Sequence, residues 1–138
     1  MKSAFVDSNV LLYAADGRPA EADKAAAARQ LLAQGSFCLS VQVINEFTAV
    51  ATHPRKLGMS REDAVLYCEC WTQEYEVHPL TVVHLEMART WFLPGTLSWW
   101  DSLILASANF AGCEQLYSED LHSGAVYGQV KVINPFPA

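Results

Sequence analysis

Short apolar runs alternate with capped helical segments along this chain, and that alternation restricts the fold more than any other feature of the sequence. Ser3-Ala4-Phe5-Val6 is an apolar run suited to a buried strand, and Asp7-Ser8-Asn9 closes it with residues that favour turns and helix N-caps. Glu21–Ala33 is Ala-rich and stops at Gly35, as a helix and its C-terminal end should. Ser36–Leu39 reads as a second strand. Ser40 then caps a helix that His53-Pro54 ends, because a residue before proline avoids the helical region. Ser60-Arg61-Glu62-Asp63 resembles a capping box and opens a helix to about Tyr75. Val77–Leu80 is a weaker strand. Thr81 caps a helix to Phe92, and Ser98 caps another from Trp99 to Phe110 that stops near Gly112. Gln115–Ser118 and Val130–Ile133 are the last strands. Strands separated by helices imply parallel crossovers, hence an α/β sheet covered on both faces.

At 138 residues and 51% hydrophobic positions, the chain has the size and apolar content of one domain, and residues 1–138 are taken as a single unit. The net charge of −6 argues against a surface that coats any polyanion. Four cysteines without a C-x-x-C pair argue for reduced thiols rather than a disulfide scaffold. Cys68 and Cys70 lie roughly 200° apart around a helix and should not bridge each other. The apolar stretch Met1–Ala15 is interrupted by Asp7 and Asn9, so neither a membrane span nor a leader is expected and the protein reads as cytoplasmic.

In open parallel sheets, ligands sit beyond the carboxyl ends of the strands where strand order reverses. Asp7 and Asp120 fall at two such ends. Each alone also suits a helix cap or a turn. Asp101 shares a helical face with Ile104, Leu105 and Ala108, so a carboxylate stands on a stripe that should enter the core. Either a capping box, with Asp101 reaching back to the Ser98 amide, or a metal or other buried partner would compensate it. Glu46 lies about 90° from the centre of the stripe Val43, Ile44, Phe47, Val50 and Ala51. That flank suits a side chain leaning toward a cleft, or an ordinary boundary glutamate. Were these four acids to converge, they would repel one another without divalent cations, and oxygen-only ligands favour Mg²⁺ or Mn²⁺ over zinc. Setting the four aside leaves a net charge of only −2.

Four blocks carry a resemblance: Asp7-Ser8-Asn9-Val10-Leu11-Leu12-Tyr13, Asn45-Glu46-Phe47, Trp100-Asp101-Ser102-Leu103-Ile104-Leu105-Ala106, and Tyr117-Ser118-Glu119-Asp120-Leu121-His122-Ser123-Gly124. In order, they resemble the acidic blocks of the PIN domain, and within that superfamily the chain is similar to the small VapC-type ribonuclease toxins. The resemblance implies a three-layer α/β/α fold with a mainly parallel five-stranded sheet. It also implies Mg²⁺ or Mn²⁺ dependence, endonucleolytic cleavage of RNA, and a cognate antitoxin that blocks the cleft. Asp7, Glu46, Asp101 and Asp120 become the expected catalytic and metal-binding residues, with Ser8, Ser118 and Glu119 as auxiliaries. Ser8 stands where the family more often has Thr, and the adjacency of Glu119 and Asp120 leaves the fourth acid to be decided, with Asp120 favoured.

A cation at these acids would activate water toward phosphorus and leave 5′-phosphate and 3′-hydroxyl ends. No Ser-His-Asp or Cys-His arrangement competes. Arg55, Lys56 and Arg61, with His53 nearby, form the densest basic cluster and serve either as an RNA-binding edge or as a solvated loop. Trp99 and Trp100 offer a base-stacking face or act as core anchors. The segment Glu62–Trp71 suits a homodimer surface. Two other functions share these residues: a DNA-directed metal-dependent nuclease, and a non-catalytic PIN-like protein-binding module whose acids dock a basic segment.

Overall fold

The computed structural model describes residues 3–136; Met1 and Lys2, which entered the targeting argument, lie outside it. The elements run β1 (Ala4–Val6), α1 (Ser8–Ala15), a 3₁₀ turn (Pro19–Glu21), α2 (Ala22–Ala33), β2 (Phe37–Ser40), α3 (Val41–Ala51), α4 (Arg61–Glu74), β3 (Glu76–His78), α5 (Val82–Phe92), α6 (Trp99–Phe110), β4 (Gln115–Tyr117), β5 (Val126–Tyr127) and β6 (Val130–Ile133). Helix starts follow the caps expected from sequence. Ser40 Oγ accepts from Val43 N, Ser60 Oγ from Asp63 N and Ser98 Oγ from Asp101 N, each satisfying an otherwise orphaned first-turn donor. The α2 start differs. Pro19 draws the entry into a 3₁₀ turn, so the α-helix begins one residue after Glu21. Its end differs as well: the cap is Gln34, and Gly35 does not take a positive φ.

The sheet has strand order β3-β2-β1-β4-β6-β5. It is parallel throughout except for β5, which pairs antiparallel with β6. Six strands rather than five is therefore a correction. The extra strand has two residues, too short for any periodicity to announce it. What makes it is a two-residue turn over Gly128-Gln129, with Gly128 at φ 63°. Asn109 on α6 clamps the turn: its Nδ2 donates to Tyr127 O (3.1 Å) and its Oδ1 accepts from Gln129 N (3.0 Å).

A Cβ added at Gly128 would run into that Asn109 amide oxygen as well as strain the backbone. Gly128→Ala is expected to lower unfolding stability by about 1–3 kcal/mol in urea denaturation, through loss of the clamp.

The core lies between sheet and helices, built on Phe5, Val6, Leu39, Val43, Phe47, Ile104, Leu105, Leu116 and Val132, each at most 2% exposed. Residues Ser102 to Ala108 of α6 are buried without a break. The four cysteines are free thiols, as the sequence suggested. Among the described residues, no helix is long and apolar enough to cross a membrane.

The chain passes from β1 through β2 to β3 on one side and places β4 on the other side of β1. Strand order thus reverses between β1 and β4, whose carboxyl ends are tied by Asp7 N donating to Tyr117 O (3.0 Å). Both acids expected at strand ends follow these two strands.

Candidate active site

Asp7 leaves β1 in an extended conformation, caps α1, and is 3% exposed. Its Oδ1 accepts from Ser8 N (2.7 Å); its Oδ2 accepts from Ser118 Oγ (2.7 Å) and from Asn9 Nδ2 (3.4 Å). Asn9 joins the whole mouth together. The same Nδ2 lies 3.3 Å from Ser118 Oγ and 3.2 Å from Asp120 Oδ2, while its Oδ1 accepts from Glu119 N (3.2 Å). Ser118 Oγ in turn accepts from Asp120 N (3.2 Å). A buried amide therefore fixes the turn after β4 against the start of α1.

Sequence reading passed over Asn9 as a site residue. The available signal was an amide directly before the apolar run Val10-Leu11-Leu12, since a buried amide needs polar partners.

Glu46 is half-buried on α3, reached by Gln42 Nε2 (3.4 Å) and by the Ser8 hydroxyl, which also lies 3.5 Å from Asp7. Gln42 Nε2 donates to Trp100 O as well (3.0 Å), tying α3 to the start of α6. Asp101 stands in the first turn of α6, half-buried. Its carboxylate is held by the Ser98 hydroxyl, and the return bond to the Ser98 amide that a capping box requires is not made.

Electrostatics places the four in one field. Burial raises the Asp7 carboxyl to about 7, Ser118 and the Ser8 amide resist the rise, and the charges of Glu46 and Asp120 add to it. Burial also raises Glu46, against hydrogen bonds from Gln42 and Ser8, with Asp101 and Asp120 adding repulsion. Asp101 is raised by burial and by Asp120, with Ser98 opposing. The structure thus brings together Asp7, Glu46, Asp101 and Asp120, along with Ser8 and Ser118.

It turns Glu119 elsewhere. Glu119 Oε2 pairs with Lys24 Nζ at 2.6 Å and Oε1 accepts from Tyr13 OH at 2.9 Å, while Lys24 lies over the Tyr13 ring. Lys24 and Tyr13 went unnoticed in the sequence, because nothing in an Ala-rich helix marks a lysine that pairs 95 residues away. Arg55 and Lys56 are exposed on the α3–α4 connection and Arg61 at the start of α4, and among the described residues none pairs with an acid. Trp99 packs on Phe92 (5.2 Å), whereas Trp100 is 63% exposed beside Asp101.

The donor set fits a hard divalent cation. Every group facing the four carboxylates is a neutral amide or hydroxyl, and among the described residues no lysine or arginine neutralises them. Uncompensated carboxylates around a buried one are stabilised by such an ion or by protonation. The oxygens stand apart as repulsion demands: among the described residues, no three of these acids bring oxygens within 4.8 Å of one another.

The chain belongs to the PIN domain family, whose model matches residues 4–127. No curated protein sequence matches it. Among solved structures, it is similar to Mycobacterium tuberculosis VapC20, described as a Sarcin-Ricin loop cleaving toxin, with 21% identity, TM-score 0.68, and coverage of 86% of this chain and 90% of that one. It is similar also to a toxin-antitoxin complex from Klebsiella pneumoniae, with 18% identity, TM-score 0.72, and 99% and 100% coverage. A third likeness is to Rickettsia felis VapBC2 bound to a DNA fragment from their promoter, with 15% identity, TM-score 0.58, and 85% and 87% coverage. At these identities the likeness establishes a shared fold.

Proposed function

We propose that this chain is a single-domain, divalent-metal-dependent endoribonuclease and the toxin of a toxin-antitoxin pair. One observation carries the reading: four carboxylates meet at the strand-order switch without a cationic side chain among them, and the most buried, Asp7, is pushed up to about 7. Asp7, Glu46, Asp101 and Asp120 are the residues that would hold Mg²⁺ or Mn²⁺. Bound there, such an ion supplies Lewis acidity at a phosphodiester and activates water.

The chain's own groups set the stage for that chemistry. Ser8 N and Ser118 Oγ fix both oxygens of Asp7, so its orientation is preset. Asn9 holds Asp120, exposed at the mouth, against the buried pair. Lys24 draws Glu119 aside, which favours Asp120 as the fourth acid and leaves Glu119 and Ser8 as auxiliaries. Gln42 positions Glu46 and the Trp100 backbone together, leaving the exposed indole at the rim as a stacking face for a base. Arg55, Lys56 and Arg61 are free to meet phosphates.

The solved relatives described as toxin and toxin-antitoxin complex support a cognate antitoxin as partner. Exposed Val65, Leu66 and Tyr67 on α4 support a homodimer surface.

The test is purified protein with Mg²⁺ or Mn²⁺ on matched RNA and DNA. RNA cleavage leaving 5′-phosphate and 3′-hydroxyl ends is expected, with Asp101→Asn reducing the rate by roughly 10²-fold or more. Undiminished cleavage by Asp101→Asn would refute the site. Preference for DNA would move the assignment to a DNA-directed nuclease.

A further inference from the structure

Away from the acids, the β2–β3 edge of the sheet gathers a second set of ligand-type side chains. Parallel register sets Cys38 opposite Glu76 and Ser40 opposite His78. Alternate strand residues share a face, so Cys38, Glu76 and His78 project together from one side of the sheet. Among the described residues, they form the group of three or more such side chains whose donor atoms all lie within 4.8 Å of one another. The three grade from core to solvent: Cys38 is 3% exposed, the His78 side chain 27% and that of Glu76 69%, which leaves an entry path from the open edge.

His78 supplies an independent sign. Its Nε2 lies 3.0 Å from Glu76 Oε1, but the two are not aligned as a hydrogen bond, and this buried nitrogen has no hydrogen-bond partner. A buried polar atom left in that state has given up its bond to water without replacement and calls for a missing partner. Sulfur, imidazole nitrogen and carboxylate oxygen are the mixed donors a borderline-soft ion takes, whereas Mg²⁺ does not select sulfur. Tetrahedral ligation at 2.0–2.3 Å separates donors by about 3.3–3.8 Å, a spacing that small side-chain shifts reach from donors that all lie within 4.8 Å of one another.

The geometry points to a zinc-class divalent-ion site at the β2–β3 edge, with Cys38 Sγ, His78 Nε2 and a Glu76 oxygen as protein ligands and solvent in the fourth position. Burial pushes the Cys38 thiol up, against hydrogen bonds from the Cys113 and Ser3 side chains, so the cation itself must hold the sulfur as thiolate. Ligation takes the Cys38 sulfur as thiolate, its proton passing to solvent, together with a Glu76 carboxylate oxygen and His78 through Nε2 with the ring proton on Nδ1. The ion ties the three-residue edge strand β3 to β2. On that strand His78 sits opposite Ser40, the cap of the helix that carries Glu46.

Co²⁺ titration of the full chain in excess Mg²⁺ tests this, the Mg²⁺ saturating any oxygen-only site. A sulfur-to-cobalt charge-transfer band at about one ion per chain is expected. It should be lost in Cys38→Ser and in His78→Gln and kept in Cys70→Ser. Zn²⁺ should raise the melting temperature of the wild type and leave that of His78→Gln unchanged. Absence of the band, its survival in His78→Gln, or its loss in Cys70→Ser overturns the site. Should Cys38→Ser fail to fold, His78→Gln on the open edge decides alone.

Discussion

Asp7→Asn is expected to abolish metal-supported RNA cleavage, by roughly 10³-fold or more, while leaving the protein at least as thermally stable at pH 8 without divalent cation. The two effects share one cause. Asp7 is the most buried carboxylate of the pocket and is crowded by Glu46 and Asp120, so its charge opposes folding, while under the proposed function the same charge holds the cation. Loss of several kcal/mol of charge stabilisation in the transition state corresponds to that drop in rate. The amide keeps the acceptor that caps Ser8 N, and although its NH₂ replaces the oxygen that accepts from Ser118 and Asn9, relief of the buried charge offsets that loss. Single-turnover cleavage and thermal melts of the same preparations check both halves. A variant that melts far below the wild type would show that Asp7 is held for structure.

The second large effect is a stability profile that runs against the usual one. In EDTA, the pocket contributes stability that falls as pH rises from about 4 to about 7. The folded chain keeps the Asp7 proton up to about 7 while the unfolded chain releases it near 3.8, so the folded state binds more protons in that window. The contribution is complete below about 4 and lost above about 7. At 1.36 kcal/mol per unit it amounts to about 4 kcal/mol, with Glu46 and Asp101 acting in the same direction. Mn²⁺ should reverse the loss. At 100-fold above its dissociation constant it adds about 2.7 kcal/mol at pH 8, and it adds little at pH 5, where protons compete for the same oxygens. Melting curves at pH 5 and pH 8, with EDTA and with Mn²⁺, measure the four corners. In Asp7→Asn the pH 5 to pH 8 difference in EDTA should shrink; an unchanged difference would place the titrating group elsewhere.

Local signals made much of this architecture legible. Ser40, Ser60 and Ser98 cap helices where a hydroxyl precedes an apolar-periodic run, and Asp101 announced itself by standing on a stripe with Ile104, Leu105 and Ala108. Asp7 was readable because it follows an apolar run at once. What escaped depends on contacts between distant segments. The amide of Asn9 is ordinary until the turn after β4 is laid against it. Lys24 is one cation in an Ala-rich helix until Glu119 arrives. The β5 strand exists because a glycine turn fits beneath Asn109, a match that neither segment displays alone.

Asp7 and its partner Ser118 are separated by 111 positions in the chain, yet they share a 2.7 Å hydrogen bond at the floor of the pocket. A nascent polypeptide still lacking β4 therefore carries Asp7 without the hydroxyl that fixes its second oxygen. Synthesis and pocket assembly are ordered in time: Asp7 and Glu46 are made first, and the turn that closes the pocket floor arrives only after β4. The pocket floor is therefore a late product of synthesis, completed only when β4 has been added.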